Sequence, residues 1–276
     1  MKDKFIAFID ILGFSELVRA EEERGGDFSQ LLDLTKALNT PPETKSRICP
    51  CSRFVSADLD FQKTQISDCV VLSAEVSPAG VINLTHHCFG IALALIRKGS
   101  LCRGYITRGN IVHTDNQFIG TGYMRALELE KNVAFMRSDI DEKGTPFIQI
   151  DKSVADFVNS EGDQCVQLIF GRTTRSDGTY TAIYPFDALR NIPGALIRVD
   201  FDPHRWKSAL HVSLKHRNEN LARFDKAESD ARDESVKRKI RHYKRGLQDV
   251  IDHLKSKEAA LDTMIGTGCI PYGAVW

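Results

Sequence analysis

The string Phe5-Ile6-Ala7-Phe8-Ile9-Asp10-Ile11-Leu12-Gly13-Phe14 constrains the fold more than any other stretch of this chain. Phe5 through Ile9 form an unbroken apolar run of strand length. The run closes on a charged residue, Asp10, and enters a turn from Ile11 to Phe14 that contains Gly13. A helix over 16–24 follows, with Ser15 placed to cap it and Gly25-Gly26 to break it. The chain therefore opens strand, turn, helix, with a carboxylate where the strand gives way to the turn.

The same alternation of elements continues. A second helix over 28–38 ends at Pro41-Pro42, and 43–53 is a polar loop. Residues 59–66 alternate, 69–72 are fully apolar, and Ser67-Asp68 turns the chain between them. That is a β-hairpin with Asp68 at its tip. Pro78 opens a helix rich in Ile, Leu and Ala that runs to Leu95, and Gly99 ends it. A strand over 100–106, a short strand or turn over 116–120, a helix over 123–135, a strand over 147–150 and a helix over 153–158 follow. The apolar segments 166–170 and 180–184 complete an α+β region. The composition shifts near residue 200, which divides the chain into 1–200 and a helical extension, 201–276. Pro203 opens that extension, where Val236, Ile240, Tyr243, Leu247, Val250, Ile251 and Leu254 form one apolar stripe at helical spacing. The basic run 237–245 reads as the solvated face of that helix.

Charge excludes several classes of function. Lys plus Arg is 37 and Asp plus Glu is 37, a balance that argues against a generic nucleic-acid binder and against disorder. No apolar run approaches the roughly 18 residues of a membrane span. The N-terminal apolar stretch is short and broken by Asp10, so it does not read as a secretory signal, and the expected location is cytoplasmic. The seven cysteines are an odd number, and four lie singly in apolar stretches, which fits reduced thiols better than a disulfide framework. Cys49-Pro50-Cys51 lacks the two-residue spacer of a metal or redox pair. His86 and His87 are adjacent on a helix and point about 100° apart, poor geometry for one ion.

Asp10 at a strand end and Asp68 at a hairpin tip project from one end of a sheet if the two strands are neighbours. Two hard oxygen ligands suit Mg²⁺ or Mn²⁺. The turn from Ile11 to Phe14 adds backbone N–H groups at a helix start, where phosphate oxygens are favoured. This layout serves metal-assisted phosphoryl transfer.

Three strings resemble the motifs of class III nucleotide cyclases. Phe8-Ile9-Asp10-Ile11-Leu12-Gly13-Phe14-Ser15 resembles their first metal motif. Thr64-Gln65-Ile66-Ser67-Asp68 resembles their second metal hairpin, with Ser67 where Gly is usual. Gly120-Thr121-Gly122-Tyr123-Met124-Arg125-Ala126-Leu127-Glu128-Leu129-Glu130 resembles their later strand-to-helix motif. The match covers roughly 4–185. The resemblance implies an α+β fold with a ferredoxin-like palm sheet flanked by helices. It implies that Asp10 and Asp68, with the Ile11 carbonyl, bind two Mn²⁺ or Mg²⁺ ions per site. It further implies a head-to-tail homodimer with composite sites, and cyclisation of a nucleoside triphosphate with release of pyrophosphate. Gly13, Phe14, Thr64 and Gln117 would contact the substrate.

The chain also departs from that pattern. Where the family carries an Asn and a transition-state Arg, this chain has Met124 and Glu128. Arg97, Arg103, Arg108 and Arg125 are the nearby cations that could substitute. At the base-reading positions the charged residues of purine cyclases are replaced by Thr64 and Gln117, which can donate to and accept from a pyrimidine edge or simply face solvent. In these departures the chain looks like the Pycsar pyrimidine cyclases of bacterial anti-phage defence. Their cyclic UMP or cyclic CMP is read by a separate effector protein. The resemblance therefore implies a uridylate cyclase acting on UTP. A cytidylate cyclase acting on CTP, a purine cyclase with an unusual pocket and a degenerate cyclase domain that binds without turnover stay open.

Overall fold

The computed structural model describes residues 1–39, 59–137, 144–191 and 202–268. The 43–53 loop, Cys49, Cys51, Cys269 and the expected boundary near 200 lie outside them. In chain order the elements are β1 (Lys2–Ile11), α1 (Phe14–Glu23), α2 (Ser29–Lys36), β2 (Phe61–Ile66), β3 (Cys69–Glu75), α3 (Pro78–Arg97), β4 (Cys102–His113), β5 (Phe118–Ile119) and α4 (Thr121–Glu130). Then come β6 (Ile148–Ile150), α5 (Lys152–Ser160), α6 (Gln164–Thr173), β7 (Thr174–Ser176), β8 (Thr181–Ile183), α7 (Phe186–Leu189), α8 (Pro203–Asp230) and α9 (Glu234–Thr267). The chain divides into two compact units, 1–185 and 186–276.

In the first unit β1 is the central strand. It pairs antiparallel with β3 on one edge and β4 on the other, and β2 pairs with β3 outside it. The order β2-β3-β1-β4, with helices between β1 and β2 and between β3 and β4, is the split βαβ arrangement of the ferredoxin-like fold. The α+β palm inferred from the sequence is thus the fold of this unit. Beyond β4 the sheet continues through β6, β8 and β7, with β5 turned back on the end of β4.

Burial on both faces explains the unbroken apolar run in β1. Phe5, Ala7, Ile9 and Ile11 face a core with Val70 and Leu72 of β3 and with Leu84, Cys88, Ile91 and Leu95 of α3. Ile6 and Phe8 face a smaller cluster with Val71, Ile111 and Ala126 of α4. Helix α3 corrects the reading that no apolar run approaches a membrane span: it is 20 residues long and apolar enough to cross one. Its apolarity has another account here, since 72% of its most apolar window is buried within the fold. Each fully buried Leu, Ile or Val contributes about 1.5–3 kcal/mol.

Backbone geometry, capping and one contact between distant segments account for the other differences from the sequence reading. Gly13, not Ser15, precedes α1, in the left-handed region at φ 78°. A Cβ there would meet no atom within 4 Å, so the dihedral rather than crowding asks for glycine. The apolar segment 166–170 lies inside helix α6, capped by Asp163 accepting from the Cys165 N–H. Its Val166, Ile169 and Phe170 are buried at helical spacing, and a run this short has no period of its own to decide its type. Helix α4 ends at Glu130 rather than at 135, because Gln149 Oε1 of β6 accepts the N–H groups of Ala134 at 2.7 Å and Phe135 at 3.0 Å. That pulls the backbone out of the helix.

In the second unit the α9 stripe is buried from Ile240 to Leu254, with Val236 half-buried, and Leu210, Leu214 and Phe224 of α8 are buried too. Tyr243 packs on Phe186 with ring centroids 4.6 Å apart. The basic run is more than a solvated face. Arg241 pairs with Glu228 at 2.5 Å, and Lys244 pairs with both Asp225 and Glu228 of α8.

Two glycines of the first unit let α4 lie on the sheet. A Cβ on Gly122 would stand 2.3 Å from Ile6 Cδ1 and 3.0 Å from the Gly109 carbonyl carbon. Gly122→Ala is therefore expected to destabilise the protein by about 1–3 kcal/mol, the usual cost of overpacking. Urea unfolding of the variant measures it. A stability equal to that of the wild type would show that α4 can shift freely.

Candidate active site

The β1 register places Asp10 beside Cys69 on one neighbour and Arg103 on the other. The β2–β3 hairpin turns on Ser67 and Asp68, and Ser67 sits at φ 52°, the left-handed region that favours glycine. The Ile11 N–H donates to the Asp68 carbonyl at 3.1 Å, locking the end of β1 against the hairpin tip. As a result the Asp10 and Asp68 side chains meet within hydrogen-bond contact. The sequence predicted both carboxylates at one end of the sheet, and the structure brings them together.

Burial first, then the charges of Asp68 and Glu130, push the Asp10 carboxyl up to about 7, and Arg103 partly offsets this. Sequence reasoning did not assign Glu130 to the site. It is a buried carboxylate at the last position of α4, ion-paired with Arg103. Its one sequence signal is its place at the end of the third motif. Of the candidate cations, Arg108 pairs with Asp3 at 2.7 Å and Arg125 with Asp151 at 2.7 Å, away from the carboxylates. Arg103 stands at the site. Met124 and Glu128 lie one helical turn apart on α4, and both are exposed.

Among the described residues no group of three or more His, Cys, Asp or Glu side chains is arranged to hold a metal. The donors here are two carboxylates with the Ile11 backbone beside them. An all-oxygen set with a like-charge contact fits a hard divalent cation, because the cation relieves the repulsion that raises Asp10.

Gly13 and Phe14 form the turn into α1, and the Gly13 carbonyl accepts the Glu16 N–H at 3.1 Å. Phe14 and Ser67 line a cleft of about 420 Å³ between α1, α2 and the hairpin. Thr64 reaches the turn that carries Gln117. The Thr64 hydroxyl donates to the Asp115 carbonyl at 3.3 Å, and Thr64 Oγ1 lies 3.1 Å from His113 Nε2. Gln117 is exposed in the same turn, its carbonyl accepting the Thr114 N–H at 2.8 Å. Of the two histidines read as poor ligands, His87 is a core residue. Its Nδ1–H donates to the Asn83 carbonyl at 3.0 Å and its ring stacks on Phe61. Cys88 and Cys102 are buried thiols.

No protein-family model matches the chain, and no curated protein sequence matches it. Among solved structures it is similar to a class III adenylyl cyclase-like ATP-binding protein from Pseudomonas aeruginosa, with a TM-score of 0.34 and 12% identity. The alignment covers 56% of this chain and 34% of that one.

The site makes a prediction about stability. With its pKa near 7 in the fold against an ordinary value of 3.8, Asp10 holds a proton in the folded state that the unfolded chain has lost. Metal-free stability therefore falls as pH rises through that window, from about 4 to 7. Asp10→Asn removes the repulsion and should raise the metal-free Tm at pH 8. In the wild type Mn²⁺ should raise Tm more at pH 8 than at pH 6, and in the variant not at all. Thermal melts with and without Mn²⁺ read all three effects. A Mn²⁺ shift that survives in the variant would move the cation elsewhere.

Proposed function

We propose that this protein is a divalent-cation-dependent pyrimidine nucleotide cyclase that converts UTP to 3′,5′-cyclic UMP and pyrophosphate. The observation that carries this reading is the contact of Asp10 and Asp68 at the end of the central strand. Asp10, Asp68 and the Ile11 carbonyl would hold Mn²⁺ or Mg²⁺, two ions per site. When bound, these ions supply charge neutralisation at the phosphates and a more acidic ribose 3′-hydroxyl. The first turn of α1, entered through Gly13 and Phe14, offers its N–H groups and the positive end of the helix dipole to phosphate oxygens. The 3′-oxygen attacks the α-phosphorus, the bond to the β-phosphate oxygen breaks, and the hydroxyl proton leaves to solvent. Arg103 is the cation nearest the reacting groups, and Thr64 and Gln117 face the base.

A head-to-tail homodimer would complete two such sites. Ile66, Ile119 and Met124 are 51%, 71% and 65% exposed and would give that dimer apolar contact. The cyclic product would act as a second messenger of anti-phage defence, read by a separate effector protein.

One observation favours a second reading. Exposed Glu128 occupies the place of a transition-state cation, and a carboxylate there opposes developing phosphate charge. A degenerate domain that binds nucleotide without turnover fits that residue. Incubating the purified protein with ATP, GTP, CTP and UTP plus Mn²⁺, with products identified by mass spectrometry, decides between the readings. Cyclic UMP from the wild type and none from Asp10→Ala is the expected result. Cyclic CMP would change the base, a purine product would overturn the pyrimidine reading, and nucleotide binding without any product would support the degenerate domain.

A further inference from the structure

Half-buried Thr64 belongs to a chain of polar groups that leads from an exposed turn to the buried face of the sheet. On one side its Oγ1 donates to the Asp115 carbonyl at 3.3 Å. On the other it meets His113 Nε2 at 3.1 Å, and His113 Nδ1 meets Ser73 Oγ at 2.8 Å. Ser73 is fully buried and His113 is 8% exposed. The edge of the His113 ring packs against Phe118, with centroids 5.6 Å apart. Burial and the Lys4 charge push the ring down to about 4, and Asp60, which pairs with Lys4, opposes this only in part. The imidazole is therefore neutral at pH 7, with one N–H and one bare nitrogen.

One arrangement of protons satisfies all three contacts at once. A carbonyl only accepts, so the single hydroxyl proton of Thr64 points to Asp115. Nε2 must then carry the ring proton and donate it to Thr64 Oγ1. Nδ1 is left bare and accepts the Ser73 hydroxyl. The reverse order removes the Thr64 contact with Asp115. With its proton spent and one lone pair occupied by His113, Thr64 Oγ1 keeps a single lone pair.

We propose that His113, fixed by Ser73, is a positioning residue that makes Thr64 an obligate hydrogen-bond acceptor. The site then selects a base that presents an N–H to Thr64: with Thr64 opposite position 3 of the ring, that is the imide N3–H of uracil, whereas cytosine offers a bare N3 there and carries its N–H groups on N4. This rests on the reading of the protein as a pyrimidine nucleotide cyclase with Thr64 at the base. It adds a residue outside the three cyclase-like strings that sets the choice of base. A site built to pair with an N–H at position 3 leaves its acceptor unpaired against a base that lacks one there, and that penalty is the source of selectivity.

The test measures the ratio of UTP to CTP, both as kcat/KM and as Kd by equilibrium dialysis with Mn²⁺. It compares the wild type, Thr64→Val, His113→Phe, which keeps a ring against Phe118, and His113→Gln, which keeps an N–H donor. N3-methyl-UTP serves as a base without the N–H. The wild type should favour UTP and reject N3-methyl-UTP; a wild type that favours CTP would set Thr64 against the N4 amino group and overturn the choice of uracil. His113→Phe and Thr64→Val should both lose roughly tenfold of the UTP preference. The loss should fall in KM and Kd with kcat little changed, and His113→Gln should recover part of it. If His113→Phe lowers UTP and CTP by the same factor, His113 is structural only and the proposal fails. It also fails if Thr64→Val loses the preference while His113→Phe keeps it. A wild type that binds UTP selectively but makes no product fails the cyclase reading alone, and the Kd ratios still decide the role of His113. A wild type that binds neither nucleotide overturns both.

Discussion

The pairing of β1 on both edges is the constraint on which the rest of the first unit depends. Because β1 runs antiparallel to β3 and β4 at once, its alternation is imposed on three strands. Ile6 and Phe8 share the α4 face with Asp10, while Phe5, Ala7 and Ile9 share the α3 face. A slip of one residue would bury Asp10 among the α3 side chains and expel Ile9, so the register is held by the full apolar content of the strand. The backbone bond from Ile11 to Asp68 then converts register into chemistry, since it brings a hairpin turn to the end of the strand.

The fold accepts a local cost at that point. Two carboxylates meet in a partly buried corner beside a third, and a single guanidinium, already paired with Glu130, faces them. Nothing in the packing requires this charge. Replacing a paired arrangement by like charges destabilises a protein unless something binds there, and residues that break a local rule without structural gain mark functional sites. The same holds more mildly at Ser67, whose left-handed backbone a glycine would adopt freely. By contrast, the polar groups around His113 are matched donor to acceptor, which confers direction rather than strain.

Much of the site was legible because its signals are local. A carboxylate that ends an apolar run and a carboxylate at a two-residue turn can be read from neighbours in the chain, and so can the turn that contains Gly13, although the sequence offers Ser15 as the helix cap. Glu130 and His113 could not be read that way. Their roles come from residues far away in sequence, Arg103 and Asp10 for one, Thr64 and Ser73 for the other. The end of α4 is of the same kind, because a glutamine of β6 captures the backbone that its sequence would continue as helix.

By itself the sequence determined the central apolar strand, the hairpin with Asp68 at its tip, the core helix after Pro78 and the apolar stripe of the C-terminal helix. Each of these is written in a period or a turn residue that acts over a few positions. Only the tertiary structure decided that β1 lies between β3 and β4, that Asp10 and Asp68 touch, that Arg103 is the cation held beside them, and that Thr64 reaches both His113 and the Asp115 carbonyl. Those outcomes depend on strand order and on contacts between distant segments. A linear pattern carries no record of either, because the same periods are compatible with several pairings and the one that buries both faces of β1 prevails.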